Sequence, residues 1–124
     1  MKILGRLHAA RGATCCENAA ESIAERVPAL YAEILRKNSI KERDIVSVVF
    51  SVTSDLTVLN PATALRRVGF AKDVPLFACA EPFIDGYLPK VIRVLVTYYG
   101  IGKPSHVYIN GAEALRPDLA AVEP

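Results

Sequence analysis

Cysteine and histidine are scarce in this chain, three of the first and two of the second among 124 residues. Cys15, Cys16, Cys79, His8 and His106 show no C-x-x-C or H-x-x-x-H spacing, which argues against a bound metal. Three thiols are an odd number, and the neighbours Cys15 and Cys16 are badly placed to bridge each other, so no disulfide is expected. No apolar run approaches the length of a membrane span, and the opening M-K-I-L-G-R-L-H-A-A-R is interrupted by charges every few residues. The expectation is a cytoplasmic protein with no membrane partner. An excess of one sign of charge is lacking as well. Lys and Arg number 15 against 13 Asp and Glu, a net +2 mixed along the sequence, so no basic face offers itself to nucleic acid. There is no G-x-S-x-G elbow, Walker loop, dinucleotide fingerprint or kinase signature, and neither histidine sits at a spacing that implies a base. Internal repeats, low-complexity segments and linkers are missing too.

What is present is apolar surface, 52% of the residues, enough for one domain spanning residues 1–124 and too little for two. Residues 3–11 read as a strand, with Ile3, Leu7, Ala9 and Arg11 on one face and Lys2, Arg6 and a solvated His8 on the other. Asn18 with Glu21 three residues on resembles a capping box, and Ile23, Val27, Leu30, Ile34 and Leu35 follow at helical spacing. Pro28 inside that helix removes the bond to the Ala24 carbonyl and predicts a bend. Residues 45–53 alternate as a central strand, with Val46, Val48, Phe50 and Val52 on one face. Asn60 as N-cap, Pro61 at the first helical position and Gly69 past the end frame a short second helix that carries Arg66 and Arg67. Residues 74–81, 91–99 and 106–109 read as three more strands. This order predicts an α+β domain with a mixed β-sheet and two helices on one face. Several strands are apolar on both faces, so a partner subunit is the simplest cover for the second face. Residues 116–124, R-P-D-L-A-A-V-E-P, read as a mobile C-terminal tail.

Within K-V-I-R-V-L-V-T-Y-Y-G, residues 90–100, Arg93 sits among apolar neighbours on both strand faces. A guanidinium left unpaired there would cost several kcal/mol, so an anion must lie close by. The plainer reading is an internal salt bridge to Glu81 or Asp85, or an edge strand that lets the side chain reach water. Arg11 tips the balance toward a small anionic ligand, because it too shares an apolar strand face and is followed by Gly12, which lets a ligand approach the backbone. Arg66 and Arg116 could extend the set, although each alone reads as a solvated arginine. Cys79, in V-P-L-F-A-C-A-E, reads as core packing rather than a nucleophile. A site of positive charge, one carboxylate and a tyrosine suits holding a polyanion and stabilising charge separation without exchanging bonds with it.

Four stretches carry a resemblance that spans nearly the whole chain in order and without large gaps: R-G-A-T at residues 11–14, V-P followed by Glu81, G-Y-L-P-K-V-I-R-V-L from Gly86, and H-V-Y-I with L-R-P-D-L near the end. Together they resemble the monofunctional chorismate mutases of the Bacillus type. That resemblance implies a homotrimer whose sheets pack into a barrel-like core, with sites at the subunit interfaces. It also implies a Claisen rearrangement of chorismate to prephenate, on the route to phenylalanine and tyrosine, with no cofactor or metal. Carried over by position, Arg93 would donate to the ether oxygen and a carboxylate, Arg11 and Tyr108 would hold a carboxylate, and Glu81 would accept from the ring hydroxyl. Arg66 would guide the dianion at the mouth, Phe77 and Ala78 would line the pocket, and Leu115 and Arg116 would belong to a lid. Asn60 stands where the family often has phenylalanine, and Thr63 where it can have lysine, which predicts weaker capture at the rim rather than lost chemistry. Two alternatives stay open: a Rid-type imine deaminase of related trimeric fold, and a non-catalytic sensor for a carboxylate of the aromatic pathway.

Overall fold

The computed structural model describes residues 5–120. Five strands form one mixed sheet: β1 (Arg6–Cys15), β2 (Ile45–Val52), β3 (Leu76–Ala80), β4 (Val91–Gly100) and β5 (Val107–Ile109), arranged β3-β2-β4-β1-β5. The β4 strand runs antiparallel to both β1 and β2, while β5 lies parallel to β1 and β3 parallel to β2. Two main helices, α1 (Ala20–Lys37) and α2 (Pro61–Arg67), pack on one face of it. The core lies between that face and the helices, where Ile23, Val27, Leu30 and Ile34 of α1 and Ala64 and Leu65 of α2 meet Ala10, Val48, Phe50, Val94 and Val96. All five strands and the helical layer follow the sequence expectation, though β1 begins and ends later than residues 3–11; Lys2 and Ile3 lie outside the described residues.

Two local expectations give way. Asn18 and Glu21 do not form a capping box: the cap residue of α1 is Ala19, without a side-chain bond. Asn18 instead accepts from the Thr57 and Val58 N–H groups at 2.9 and 3.3 Å and donates to the Thr57 hydroxyl at 3.1 Å, pinning the loop after β2. A long-range loop partner has outcompeted the local one. The helix runs on through Pro28 to Lys37. In β2, a register shift between Ile45 and Ser47 turns Val46 outward, 43% exposed, and brings Ile45 into the core beside Val48 and Phe50. A bulge of this kind inserts one unpaired residue and so exchanges the faces of everything before it.

Asn60 does cap α2, its Oδ1 accepting from the Ala62 N–H at 2.8 Å, with Pro61 at the first helical position and Gly69 at φ +90° beyond the end. His8 is half-buried against the Tyr98 ring, 5.8 Å between centroids, rather than freely solvated. Tyr31, fully buried on α1, donates to Glu42 Oε2 at 2.6 Å, and the same oxygen accepts the Ala71 N–H at 2.7 Å. Burial and this carboxylate push the Tyr31 phenol well above its ordinary range. One buried contact thus ties α1 to both the turn before β2 and the loop before β3.

The second face of the sheet is bare except at the end where Ala13 and Val91 are buried. Leu7, Leu95 and Phe77 stand on it 57%, 38% and 72% exposed, and the outward-turned Val46 adds to them.

Candidate active site

Strand register assembles the site on that bare face. Tyr108 of β5 pairs with Ala13 of β1, Ala13 with Arg93 of β4, and Arg93 with Ser51 of β2, which pairs in turn with Cys79 of β3. One row therefore crosses all five strands. Directly paired residues lie on the same side of a sheet, so the side chains of Tyr108, Arg93 and Ser51 emerge together, with small Ala13 between the first two. Two strand spacings, about 10 Å, separate the Tyr108 and Arg93 backbones, a gap their long side chains can close on a ligand. The next row holds Arg11, Leu95, Val49 and Phe77, so Arg11 stands one level along from Ala13 on the same face.

Glu81 arrives from the end of β3, where its N–H donates to the Val52 carbonyl at 2.8 Å and keeps the chain beside β2. Its carboxylate accepts from Ser51 Oγ in a short hydrogen bond and lies 3.3 Å from Arg93 Nε. Asp85, the other partner considered for Arg93, makes no ion pair with it. The Glu81 side chain is 19% exposed and that of Arg93 46%, so the carboxylate is sheltered while part of the guanidinium faces outward. Arg93 stands between two hollows. One, of about 230 Å³, is lined by Arg11, Ser51, Leu95 and Tyr108. The other, of about 280 Å³, is lined by Glu81, Asp85, Leu88 and Leu115. Among the described residues no carboxylate lies within ion-pair distance of Arg11.

Leu115 closes a 3₁₀ turn (Ala112–Leu115) and packs with Leu88 and Tyr108 against buried Ala13, Val91 and Ala112, so the end of the chain reaches the site's edge. Arg116 follows, its Nε and Nη2 donating to the Asp118 carboxylate at 3.0 and 2.8 Å. Asp118 first, then the nearby Tyr108, raises the pKa of that guanidinium.

Other expected residues stand apart within this chain. The Arg66 guanidinium donates to the Ala71, Lys72 and Val74 carbonyls at 2.7, 3.2 and 3.0 Å, bracing the loop after α2. Phe77 shares the bare face, but Ala78 points the opposite way toward the helical layer and borders a separate hollow with Asn60. Thr63 is exposed on α2. Two further expectations are corrected. Cys79 is exposed and not packed in the core, because on the edge strand β3 it lies in the same row as Ser51 and Arg93, on the bare face. Gly12 serves α1: a Cβ there would lie 2.8 Å from Ile34 Cδ1 and 2.8 Å from the Val107 carbonyl oxygen. Its missing side chain admits the helix and β5 rather than a ligand.

Ser51 and His106 escaped the sequence reading. Ser51 could have been found from its place on the same period-2 face as Val49, opposite Phe50, but nothing local links it to Glu81 thirty residues on.

The type I chorismate mutase family matches residues 7–119. A chorismate mutase AroH of Thermus thermophilus is 38% identical over 118 residues, covering 91% of this chain and 96% of the relative. A chorismate mutase AroH of Bacillus subtilis strain 168 is 34% identical over 114 residues, 89% and 90% of the two chains. The solved chorismate mutase of Clostridium thermocellum superposes with a TM-score of 0.79 at 37% identity, over 86% of this chain and 98% of that one. These likenesses favour the mutase resemblance over the imine deaminase and sensor alternatives. With the match running across the whole five-stranded sheet, both main helices and the row that bears Arg93, the chain belongs to the type I chorismate mutases.

Proposed function

We propose that this chorismate mutase rearranges chorismate to prephenate on the bare sheet face, with Arg93 as its central catalytic group. The reaction is unimolecular, so the protein need supply neither nucleophile nor base. Its tasks are to hold the dianion folded and to stabilise charge as the ether C–O bond breaks. Arg93 donates to the ether oxygen and to a carboxylate. Arg11 and Tyr108 hold a carboxylate, and Glu81, kept in place by Ser51, accepts from the ring hydroxyl. Leu115 and Arg116 close over the bound substrate as a lid; of the tail expected at 116–124, Pro117–Ala120 form a short helix and 121–124 lie outside the described residues. The observation that carries this reading is the register row of Tyr108, Ala13, Arg93 and Ser51, with Glu81 folded onto Arg93.

The working form in this reading is a homotrimer in the cytoplasm, each chain contributing one domain and each site lying between two subunits. Supporting this is the exposed row of Leu7, Leu95 and Phe77, too apolar a surface to leave against water. A partner subunit also gives a place to residues that stand apart within one chain: Ala78, Asn60 and Arg66 of one subunit border the site of the next. Neither cofactor nor metal takes part. The direct test is disappearance of chorismate with matched appearance of prephenate, run with and without a chelator. A protein that binds chorismate and leaves it unchanged, or that needs a metal, sinks the proposal.

A further inference from the structure

Arg11 reaches the bare face from a point on β1 where the pairing with β5 has not yet begun. That parallel pairing starts at Gly12 and Val107. One residue earlier, the Arg11 N–H is taken up by a side chain: it donates to His106 Nδ1 at 3.0 Å. With Nδ1 accepting, the neutral imidazole carries its proton on Nε2. The backbone leading into His106 is itself held from the end of α1. Asn38, the C-cap residue of α1, donates through Nδ2 to the Ile34 carbonyl at 2.9 Å and to the Ser105 carbonyl at 2.8 Å, while its Oδ1 accepts the Ser105 N–H at 2.7 Å. A continuous set of bonds thus runs from the end of α1 through Ser105 and His106 to Arg11.

We infer that His106 is a positioning residue for Arg11: by accepting the backbone N–H it fixes the strand position from which the Arg11 guanidinium is presented. The kinetic consequence rests on the reading above, in which Arg11 holds a substrate carboxylate; the structural consequence does not. The charges around the ring favour the accepting form. Burial first, then Arg11 of β1, Arg116 and Lys103, hold the His106 pKa below its ordinary value. From α1, Lys37 borders the same hollow and adds positive charge, whereas Glu33 is occupied by Arg36 at 2.8 and 2.6 Å. From the 3₁₀ turn, Glu113 accepts the Gly111 N–H at 2.6 Å. Protonation would make Nδ1 a second donor facing the Arg11 N–H, so acid breaks this bond.

The test is amide exchange and imidazole nitrogen NMR on the full-length protein, from about pH 8 to about pH 5, across the ordinary histidine range. The expected result is an unprotonated Nδ1 at the upper end and an Arg11 amide whose protection falls by about tenfold as the ring titrates, the loss of one hydrogen bond. His106→Asn keeps an acceptor oxygen near the position of Nδ1 but cannot titrate, so it should retain protection at every pH. His106→Leu should lose protection throughout and raise KM about fivefold with a smaller change in kcat. Nδ1 protonated at the upper end, or Arg11 protection indifferent to the titration of wild type, overturns the role of His106 without need of any variant. Loss of protection in His106→Leu with KM unchanged would leave His106 in its role and remove the carboxylate-holding role of Arg11 instead.

Discussion

At the scale of single residues, the role proposed for Arg93 separates catalysis from binding. The ether oxygen carries little charge in bound chorismate and much more in the transition state, so a donor aimed at it strengthens as the bond breaks. Arg93→Ala should therefore lower kcat far more than it weakens binding, with on the order of 3 kcal/mol of barrier restored, by analogy with loss of one preorganised donor. Arg93→Lys should recover part, because an ammonium lacks the planar fork that serves two acceptors. Comparing kcat with equilibrium substrate affinity checks this, provided the variants fold; a variant that binds poorly but turns over normally at saturation reduces Arg93 to an anchor. The guanidinium was legible in the sequence because a charge inside an apolar strand is conspicuous. Its companions were less so. Ser51 is an ordinary strand serine until the fold lays Glu81 across it, and His106 shows its use only when β5 comes beside β1. Cys79 looked buried because sequence shows an apolar context but not that β3 is an edge.

Among the elements, the joint of β1 with α1 and β5 leaves no room for a side chain at Gly12. Gly12→Ala would drive a methyl group against Ile34, which can shift, and against the Val107 carbonyl, which cannot shift without moving β5 and Tyr108 with it. The expected cost is roughly 1–3 kcal/mol, as for other overpacked sites, read as a lower urea midpoint. A weaker substrate affinity should accompany it. At the other end of β5, truncating the chain just before Leu115, so that Leu115 and everything after it are lost, strips the packing over Ala13 and Val91. It should raise KM more than it lowers kcat, since a lid retains ligand while strand-borne charges act on it. Equal losses in both constants would contradict that division. Element boundaries were legible where the signal is short-range, as with Asn60, Pro61 and Gly69 around α2. They failed where a distant partner intervened: Asn18 left the helix for the loop at Thr57, and the bulge at Val46 reversed the faces at the start of β2.

On the scale of the molecule, the bare sheet face sets the expected assembly. Light scattering at micromolar concentration should give three times the 13.5 kDa chain mass, and a monomer at that concentration would end the trimer proposal. Leu95→Asp, with its charge in the middle of the exposed row, should split the assembly and abolish turnover together. The need for a cover was readable from strands apolar on both sides, because that pattern depends only on alternation. Which groups would meet across the proposed seam was not, since those distances belong to no single chain. The row through Tyr108, Ala13, Arg93 and Ser51 has a consequence for how such a protein can change over generations. The count of residues within each strand is fixed: a single insertion near the start of β4, ahead of Ile92, would swing the Arg93 guanidinium under the helices and lift the core residue Ile92 into its place. Length can drift in the loops, as at 82–87 and 101–104, away from Glu81 and the Ser105–His106 link. Inside the strands, inheritance must preserve arithmetic as well as chemistry.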